Sequence, residues 1–183
     1  MKLYFSPGAC SRAANIVLHE AGLKAELVRV NMKEHKLVES GADFYAINAK
    51  GYVPALELDD GSLLTENIAI LEYLGDKSGL LAKQGDMARY RTIEWLAFIS
   101  SEVHKSFSPL FNPKLQEADR AIFLDKLKTR FALLDKHLTK QDFLASTFGL
   151  ADAYAFTVLS WAAPMKIDLG AFPHLSAYVT RVG

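Results

Sequence analysis

Residues 1–22 read MKLYFSPGACSRAANIVLHEAG, and the centre of that stretch is Ser6-Pro7-Gly8-Ala9-Cys10-Ser11. Lys2-Leu3-Tyr4-Phe5 has the apolar character of a short buried strand. Pro7 and Gly8 break it, and residues 13–21 then carry a helical pattern closed by Gly22, the usual left-handed cap. The lone cysteine of the chain therefore falls on a strand-to-helix turn, at or just inside a helix N-terminus. Unpaired N–H groups and the positive end of the helix dipole meet there, which favours a thiolate over a thiol. Against this stands Cys10 as a small buried hydrophobe, the commoner role of a lone cysteine.

The whole chain narrows the classes. With 183 residues there is room for one domain or two small ones. Lys+Arg and Asp+Glu are both 21, so the formal charge is zero and neither nucleic acid nor an anionic membrane is the expected partner. A single cysteine makes no internal disulfide, which fits a reducing, cytoplasmic setting. Residues 1–5 are too short for a signal h-region, and the apolar run 153–165 is too short to span a bilayer.

In chain order, residues 25–30 alternate as a second strand, and 32–41 read as a polar loop. Residues 43–47 suit a short helix or turn. Val53-Pro54-Ala55-Leu56-Glu57-Leu58 reads as a strand with its proline at the start, where a missing N–H does least harm. Asp59-Asp60-Gly61 is a hairpin signal, and 62–64 is the returning strand. Thr65-Glu66-Asn67 opens a helix carrying Ile68, Leu71 and Leu74.

Residues 75–85, with three glycines, predict a linker between a small α/β domain (1–79) and a helical one (86–183). There, 87–103 reads as one long amphipathic helix. Leu124, Leu127, Phe131, Leu134 and Leu138 mark a second helix face. A third, apolar helix runs from Ala153 until Pro164 interrupts it, and 174–182 is a short last one. Asp152 stands three residues after Gly149, so its carboxylate should accept the Gly149 N–H. On capping alone, Asp152→Ala costs about 1 kcal/mol and Gly149→Ser gains a few tenths.

None of the five histidines stands in a zinc-like spacing with another or with Cys10, so no metal is expected. Cys10-Ser11-Arg12-Ala13 lacks the second cysteine of a dithiol motif. Three features remain, each with a plainer reading. Pro54 after Val53 is a candidate cis bond or an ordinary trans proline at a sheet edge. Glu66-Asn67 is a helix-start anion site or simple capping. Ser101-Glu102-Val103-His104-Lys105 is a polar functional tract or a solvated helix face.

Four stretches in order carry a resemblance: MKLYFSPGACS (1–11), NAKGYVPALELDDGSLLTENIAI (48–70), IEWL…SEVHKSFSPLF (93–111) and FGLADAY (148–154). The chain resembles the glutathione transferase family, most closely its bacterial beta class. The resemblance implies a thioredoxin-like N-terminal domain, an all-helical C-terminal domain, a homodimer, and glutathione as the only cofactor-like ligand, with no metal. It implies conjugation of glutathione to small hydrophobic electrophiles, with Cys10 and His104 catalytic and a Cys10-dependent redox side activity. Val53, ahead of cis Pro54, would pair main chain to main chain with the cysteinyl residue of glutathione. Glu66 and Asn67 would take the γ-glutamyl amine and carboxylate, and His35 or Lys36 the glycyl carboxylate. Ser101 and Glu102 would reach the ligand of the neighbouring subunit, and His104 or Ser11 would donate to the glutathione sulfur. Phe5, Lys105, Phe107, Leu110 and Trp161 would line the second-substrate pocket.

The chain departs from the family pattern at several points. His35 stands where lysine is frequent, Ala97 replaces an asparagine, and Ala49 replaces a proline. Gly149 takes the place of a Ser or Thr cap. The sequence also stops at Gly183, short of the family's usual end, which implies either a more open second-substrate site or a sequence that is not the whole protein. Two rival readings go with the resemblance: a glutathione-dependent disulfide reductase or peroxidase, and a binding member without useful catalysis.

Overall fold

In the computed structural model, which describes residues 1–183, strand β1 (Lys2–Phe5) is the central strand of the N-terminal unit, Met1–Gln84. It runs parallel to β2 (Glu26–Asn31) and antiparallel to β4 (Ala55–Glu57). With β3 (Lys36–Leu37) and β5 (Leu63–Thr65) the sheet order is β3-β2-β1-β4-β5. Alternation along a strand sends Tyr4 and its partner Ala55 to one face and the Leu3–Leu56 pair to the other. Tyr4 and Ala55 join Val30, Phe44 and Val53 in one apolar cluster. On the opposite face α1 (Arg12–Glu20) packs against α2 (Asn67–Ser78), burying Ala13, Ala14, Val17, Leu18, Ile70, Leu71 and Leu74. Each such leucine contributes roughly 1.5–3 kcal/mol by leaving water.

The hairpin forms where Asp59-Asp60-Gly61 predicts it, with the Asp60 carboxylate accepting from Ser62 N–H at 2.9 Å. The 32–41 segment, expected as loop, contains β3, because Lys36 and Leu37 reach back to pair with Asn31 and Val30. The 43–47 segment is a 3-10 turn, Phe44–Ala46, capped by the Asp43 carboxylate on Tyr45 N–H. The expected linker from residue 75 is overruled. Helix α2 runs through buried Gly75 to Ser78 and ends at left-handed Gly79. One interior glycine costs about 1 kcal/mol, less than the burial of Leu71 and Leu74 returns.

The second unit, Gly85–Gly183, is helical. Helix α3 (Met87–Phe98) is capped by Asp86 on Ala88 N–H at 2.9 Å. It does not continue regularly to residue 103. Residues Ile99–His104 form a π-helical segment, followed by a single turn α4 (Lys105–Phe107) and a 3-10 turn, Ser108–Phe111. The hydroxyls of Ser101, Ser106 and Ser108 each donate to the carbonyl four residues earlier, competing with the regular ladder.

Helix α5 (Glu117–Leu138) buries Leu127, Phe131, Leu134 and Leu138. Helix α6 (Leu150–Leu159) is buried at every position, enclosed by α3, the π-helical segment and α7 (Pro173–Val182). It begins three residues before Ala153 and ends well ahead of Pro164, where the Ser160 hydroxyl folds back onto Thr157 O. No helix is long and apolar enough to cross a membrane.

Candidate active site

Cys10 lies on the turn after β1, one residue before the Ser11 cap of α1, and is partly exposed. The turn is already wound: Arg12 N–H donates to Ala9 O and Ala13 N–H to Cys10 O, both at 3.1 Å. The Cys10 thiol donates to Val53 O at 3.3 Å. That hydrogen bond belongs to the protonated thiol, so a thiolate here forms only by giving it up. The Val53–Pro54 bond is cis. Ser11 is fully buried, and its hydroxyl donates to Ser6 O and accepts from Ser6 N–H. It is thus committed to the turn and unavailable to a bound sulfur, which removes it from the two expected donors.

At the start of α2, Asn67 is 8% exposed, and neither Oδ1 nor Nδ2 has a partner. A buried amide left unsatisfied costs roughly 1–3 kcal/mol per lost bond, and such groups in native proteins call for a specific explanation. Glu66, the cap residue, has φ 72°, and its side chain makes no capping bond. Instead its carboxylate meets Lys50 Nζ at 2.6 Å, an exposed pair worth at most about 1 kcal/mol. Simple capping therefore does not account for these two residues.

His35 has φ 53°, stacks on Tyr45 with ring centroids 4.6 Å apart, and places Nδ1 3.1 Å from Gly51 O. Lys36 is exposed on β3. Of three non-glycine residues with positive φ, two, His35 and Glu66, are expected site residues. Sparse conformations of this kind cluster at functional sites.

In the helical unit the π-helical segment carries Ser101, Glu102 and His104, and Lys105 follows in α4. Ser101 is exposed. Glu102 Oε2 accepts from both Nε and Nη2 of Arg130, at 2.8 and 2.6 Å, an in-chain partner that sequence spacing does not reveal. His104 Nδ1 lies 2.7 Å from the Tyr154 hydroxyl, and its ring packs edge-on against Trp161 at 4.9 Å. Phe107 is fully buried between Phe131 and Trp161, so it backs this cluster rather than offering surface. Leu110 is 7% exposed and Trp161 6%. The exposed aromatic is Phe111, 54% accessible and 5.2 Å from the Trp161 ring, which the sequence reading passed over. Phe5 is half-buried at the end of β1.

Burial, and secondarily the Lys105 charge, lowers the His104 pKa from 6.5 to about 4. The imidazole is neutral at pH 7 and can donate from only one nitrogen. A depressed folded-state pKa gives stability that is present above the unfolded value and lost as pH falls through the folded one. Stability should therefore drop between about pH 6.5 and 4, by no more than about 3 kcal/mol. Glu57 and Asp59, lowered by hydrogen bonds to Tyr4 and to the N-terminus, yield only at more acidic pH. Urea unfolding across that window should show the slope in the wild type and a flattened profile in His104→Phe. Equal slopes would remove this account of His104.

A five-stranded mixed sheet with a cis proline after Val53, followed in the chain by an all-helical unit, defines the thioredoxin-like, two-domain class. Comparison with known proteins narrows this. Residues 7–77 match the family described as "Glutathione S-transferase, N-terminal domain", and residues 98–183 match "Glutathione S-transferase, C-terminal domain". Glutathione S-transferase GstA of Escherichia coli O157:H7 is 42% identical over 186 residues, which is 100% of this chain and 92% of that protein. A sphingomonad glutathione S-transferase solved in complex with glutathione has a TM-score of 0.95 and 42% identity, covering 100% and 92% of the two chains. A beta-class glutathione S-transferase of Sphingomonas chungbukensis has a TM-score of 0.94 and 42% identity at the same coverages. The chain belongs to the glutathione S-transferase family, alongside its bacterial beta class.

Proposed function

We infer that this protein is a glutathione transferase that joins the glutathione sulfur to small hydrophobic electrophiles. The observation carrying this reading is the partnerless, buried Asn67 amide at the start of α2, on the unit that also presents Cys10 and Val53. A helix N-terminus attracts a carboxylate, and an amide both donates and accepts. The γ-glutamyl end of glutathione carries both an anionic carboxylate and a cationic amine, and Glu66 supplies the countercharge for the amine. Val53 takes the cysteinyl residue through its main chain, which brings the substrate sulfur beside Cys10.

In conjugation, the glutathione thiolate attacks the electrophilic carbon, the leaving group departs with its electron pair, and the thiol proton passes to solvent. The neutral His104 N–H is proposed as a donor in this reaction, with Lys105 and the Trp161–Phe111 aromatics receiving the second substrate. The protein works as a cytoplasmic homodimer. Met87 and Tyr90, 63% and 53% exposed and three residues apart on α3, supply apolar surface for that contact, which brings Ser101 and Glu102 to the neighbour's ligand.

The test is glutathione addition to chlorodinitrobenzene, run where light scattering gives twice the 20.3 kDa chain mass. Conjugate formation saturable in glutathione supports the reading, and a rate no greater than buffer alone overturns it. A scattering mass of one chain would sink the dimer alone. The 3.3 Å approach of Cys10 to Val53 O favours a second reaction, thiol–disulfide exchange. The Cys10 thiolate attacks the glutathionyl sulfur of a mixed disulfide and releases the other thiol. A free glutathione thiolate then displaces Cys10, leaving as oxidised glutathione.

A further inference from the structure

We propose that Tyr154 is a positioning residue for conjugation: its hydroxyl donates to Nδ1 of His104, which puts the single imidazole proton on Nε2 and makes that N–H the ring's donor. The inference rests on the reading above, in which His104 donates during conjugation, and it names the nitrogen that does so. Every residue it needs lies in the helical unit. The π-helical segment Ile99–His104 ends on His104 itself. A π turn holds more residues than an α turn, so it re-aims the side chains that come after α3. The Ser108 hydroxyl donates to His104 O at 3.0 Å and fixes the backbone at that point.

The imidazole so placed meets Tyr154 of α6 and Trp161 of the turn that follows it, seven residues and about two turns apart. Both rings stand edge-on to the imidazole, with centroids 5.9 and 4.9 Å away and planes inclined by 89° and 69°. Tyr154 is 1% exposed, on a helix buried at every position and tied down at its start by the bonds to Asp152. Its hydroxyl, 2.7 Å from Nδ1, is the one hydrogen-bond partner of the His104 ring in this chain. Nε2 has no partner, on a ring that is only partly buried.

Two arrangements of that bond are chemically possible, and they give His104 opposite roles. With Nδ1 protonated, the phenol accepts and Nε2 keeps a lone pair, which makes the ring a base for the glutathione thiol. With Nδ1 bare, the phenol donates and Nε2 carries the proton, which makes the ring a hydrogen-bond donor to the thiolate. A phenol O–H is more acidic than a neutral imidazole N–H. An imidazole nitrogen, whose conjugate acid has a pKa of about 6.5, accepts far better than a phenol oxygen. The second arrangement is therefore the stronger bond. Burial and Lys105 act in the same direction, because a ring whose pKa is lowered to about 4 is a poor base. No proton moves to His104 in the reaction: Nε2–H donates a hydrogen bond, and the thiol proton goes to solvent.

The experiment records long-range proton–nitrogen NMR correlations of the imidazoles at neutral pH, with the His104 signals assigned by their loss in His104→Gln. Wild type should show a proton on His104 Nε2 and a bare Nδ1. Tyr154→Phe keeps the aromatic ring and removes the hydroxyl, so the two tautomers should mix. Its kcat for chlorodinitrobenzene conjugation should fall about tenfold with KM for glutathione unchanged. A second pair of variants does not depend on how Tyr154→Phe folds. The amide nitrogen of His104→Gln stands where Nε2 stands, and that of His104→Asn where Nδ1 stands, so the glutamine variant should keep about tenfold more activity. A proton on Nδ1 in wild type, a tautomer or kcat unmoved by Tyr154→Phe, or an asparagine variant as active as the glutamine one would each overturn the proposal. A wild type that does not conjugate at all would instead overturn the transferase reading on which it rests, and the spectra would still decide the tautomer.

Discussion

Asp152→Ala should unfold the helical unit far more readily than loss of a helix cap accounts for, by roughly 3–5 kcal/mol. Capping alone puts the figure at about 1 kcal/mol, and the Gly149 N–H to Asp152 Oδ2 bond is indeed present at 3.0 Å. The same carboxylate, fully buried, also accepts Leu144 N–H and the Tyr178 hydroxyl, each at 2.9 Å. Burial and the Asp152 charge raise the Tyr178 pKa well above 10, so its phenol keeps the donated proton. Alanine leaves three donors without a partner in an apolar interior, and each orphan costs roughly 1–3 kcal/mol.

Burial also raises the Asp152 pKa, opposed by its three hydrogen bonds. A raised folded-state pKa gives a contribution fully present below the unfolded value and lost as pH rises through the folded one. Lowering the pH therefore does not mimic the mutation. Denaturant unfolding of wild type, Asp152→Asn and Asp152→Ala at neutral pH should rank in that order of stability. An alanine variant within 1 kcal/mol of wild type would contradict the hub, and a purely local cap would then suffice.

The second large effect is on chemistry. Cys10→Ala should abolish glutathione-dependent disulfide reduction, which needs a sulfur at that position to accept the glutathionyl group. Conjugation uses the sulfur of glutathione itself, so it should fall only partly, with glutathione binding largely intact. Intact-mass analysis of wild type treated with oxidised glutathione should show one added glutathionyl group, and the alanine variant none. A wild type that gains no adduct, with a variant that reduces disulfides normally, would return Cys10 to the role of a packed hydrophobe.

The α/β half was readable because its signals are local. A strand stopped by Pro7-Gly8, a helix closed at left-handed Gly22 and a hairpin at Asp60-Gly61 all act within a few residues. The places of Cys10, Val53 and Asn67 in the fold were readable for the same reason, since each lies at or beside the end of such an element. What escaped depends on distance. The bidentate Arg130–Glu102 pair joins residues 28 apart, and Tyr178 reaches Asp152 from 26 away. The π-helical segment escaped because apolar periodicity at 87–103 masks the serine hydroxyls that loosen its ladder. The left-handed backbone at His35 follows from its hold on Gly51 and Tyr45, residues a local reading does not bring together.

The central claim is that glutathione supplies the bonds Asn67 lacks, and the melting temperature of Asn67→Leu with and without glutathione tests it most directly. Leucine fills a similar volume without an amide to leave unpaired. The variant should melt about 2–4 °C above wild type in the absence of ligand, the equivalent of about 1 kcal/mol. Glutathione at concentrations far above its dissociation constant should raise the wild-type melting point, because it binds only the folded chain. It should move the variant much less. A variant that melts below wild type when free and gains as much from glutathione would contradict the account, leaving Asn67 as an ordinary structural residue.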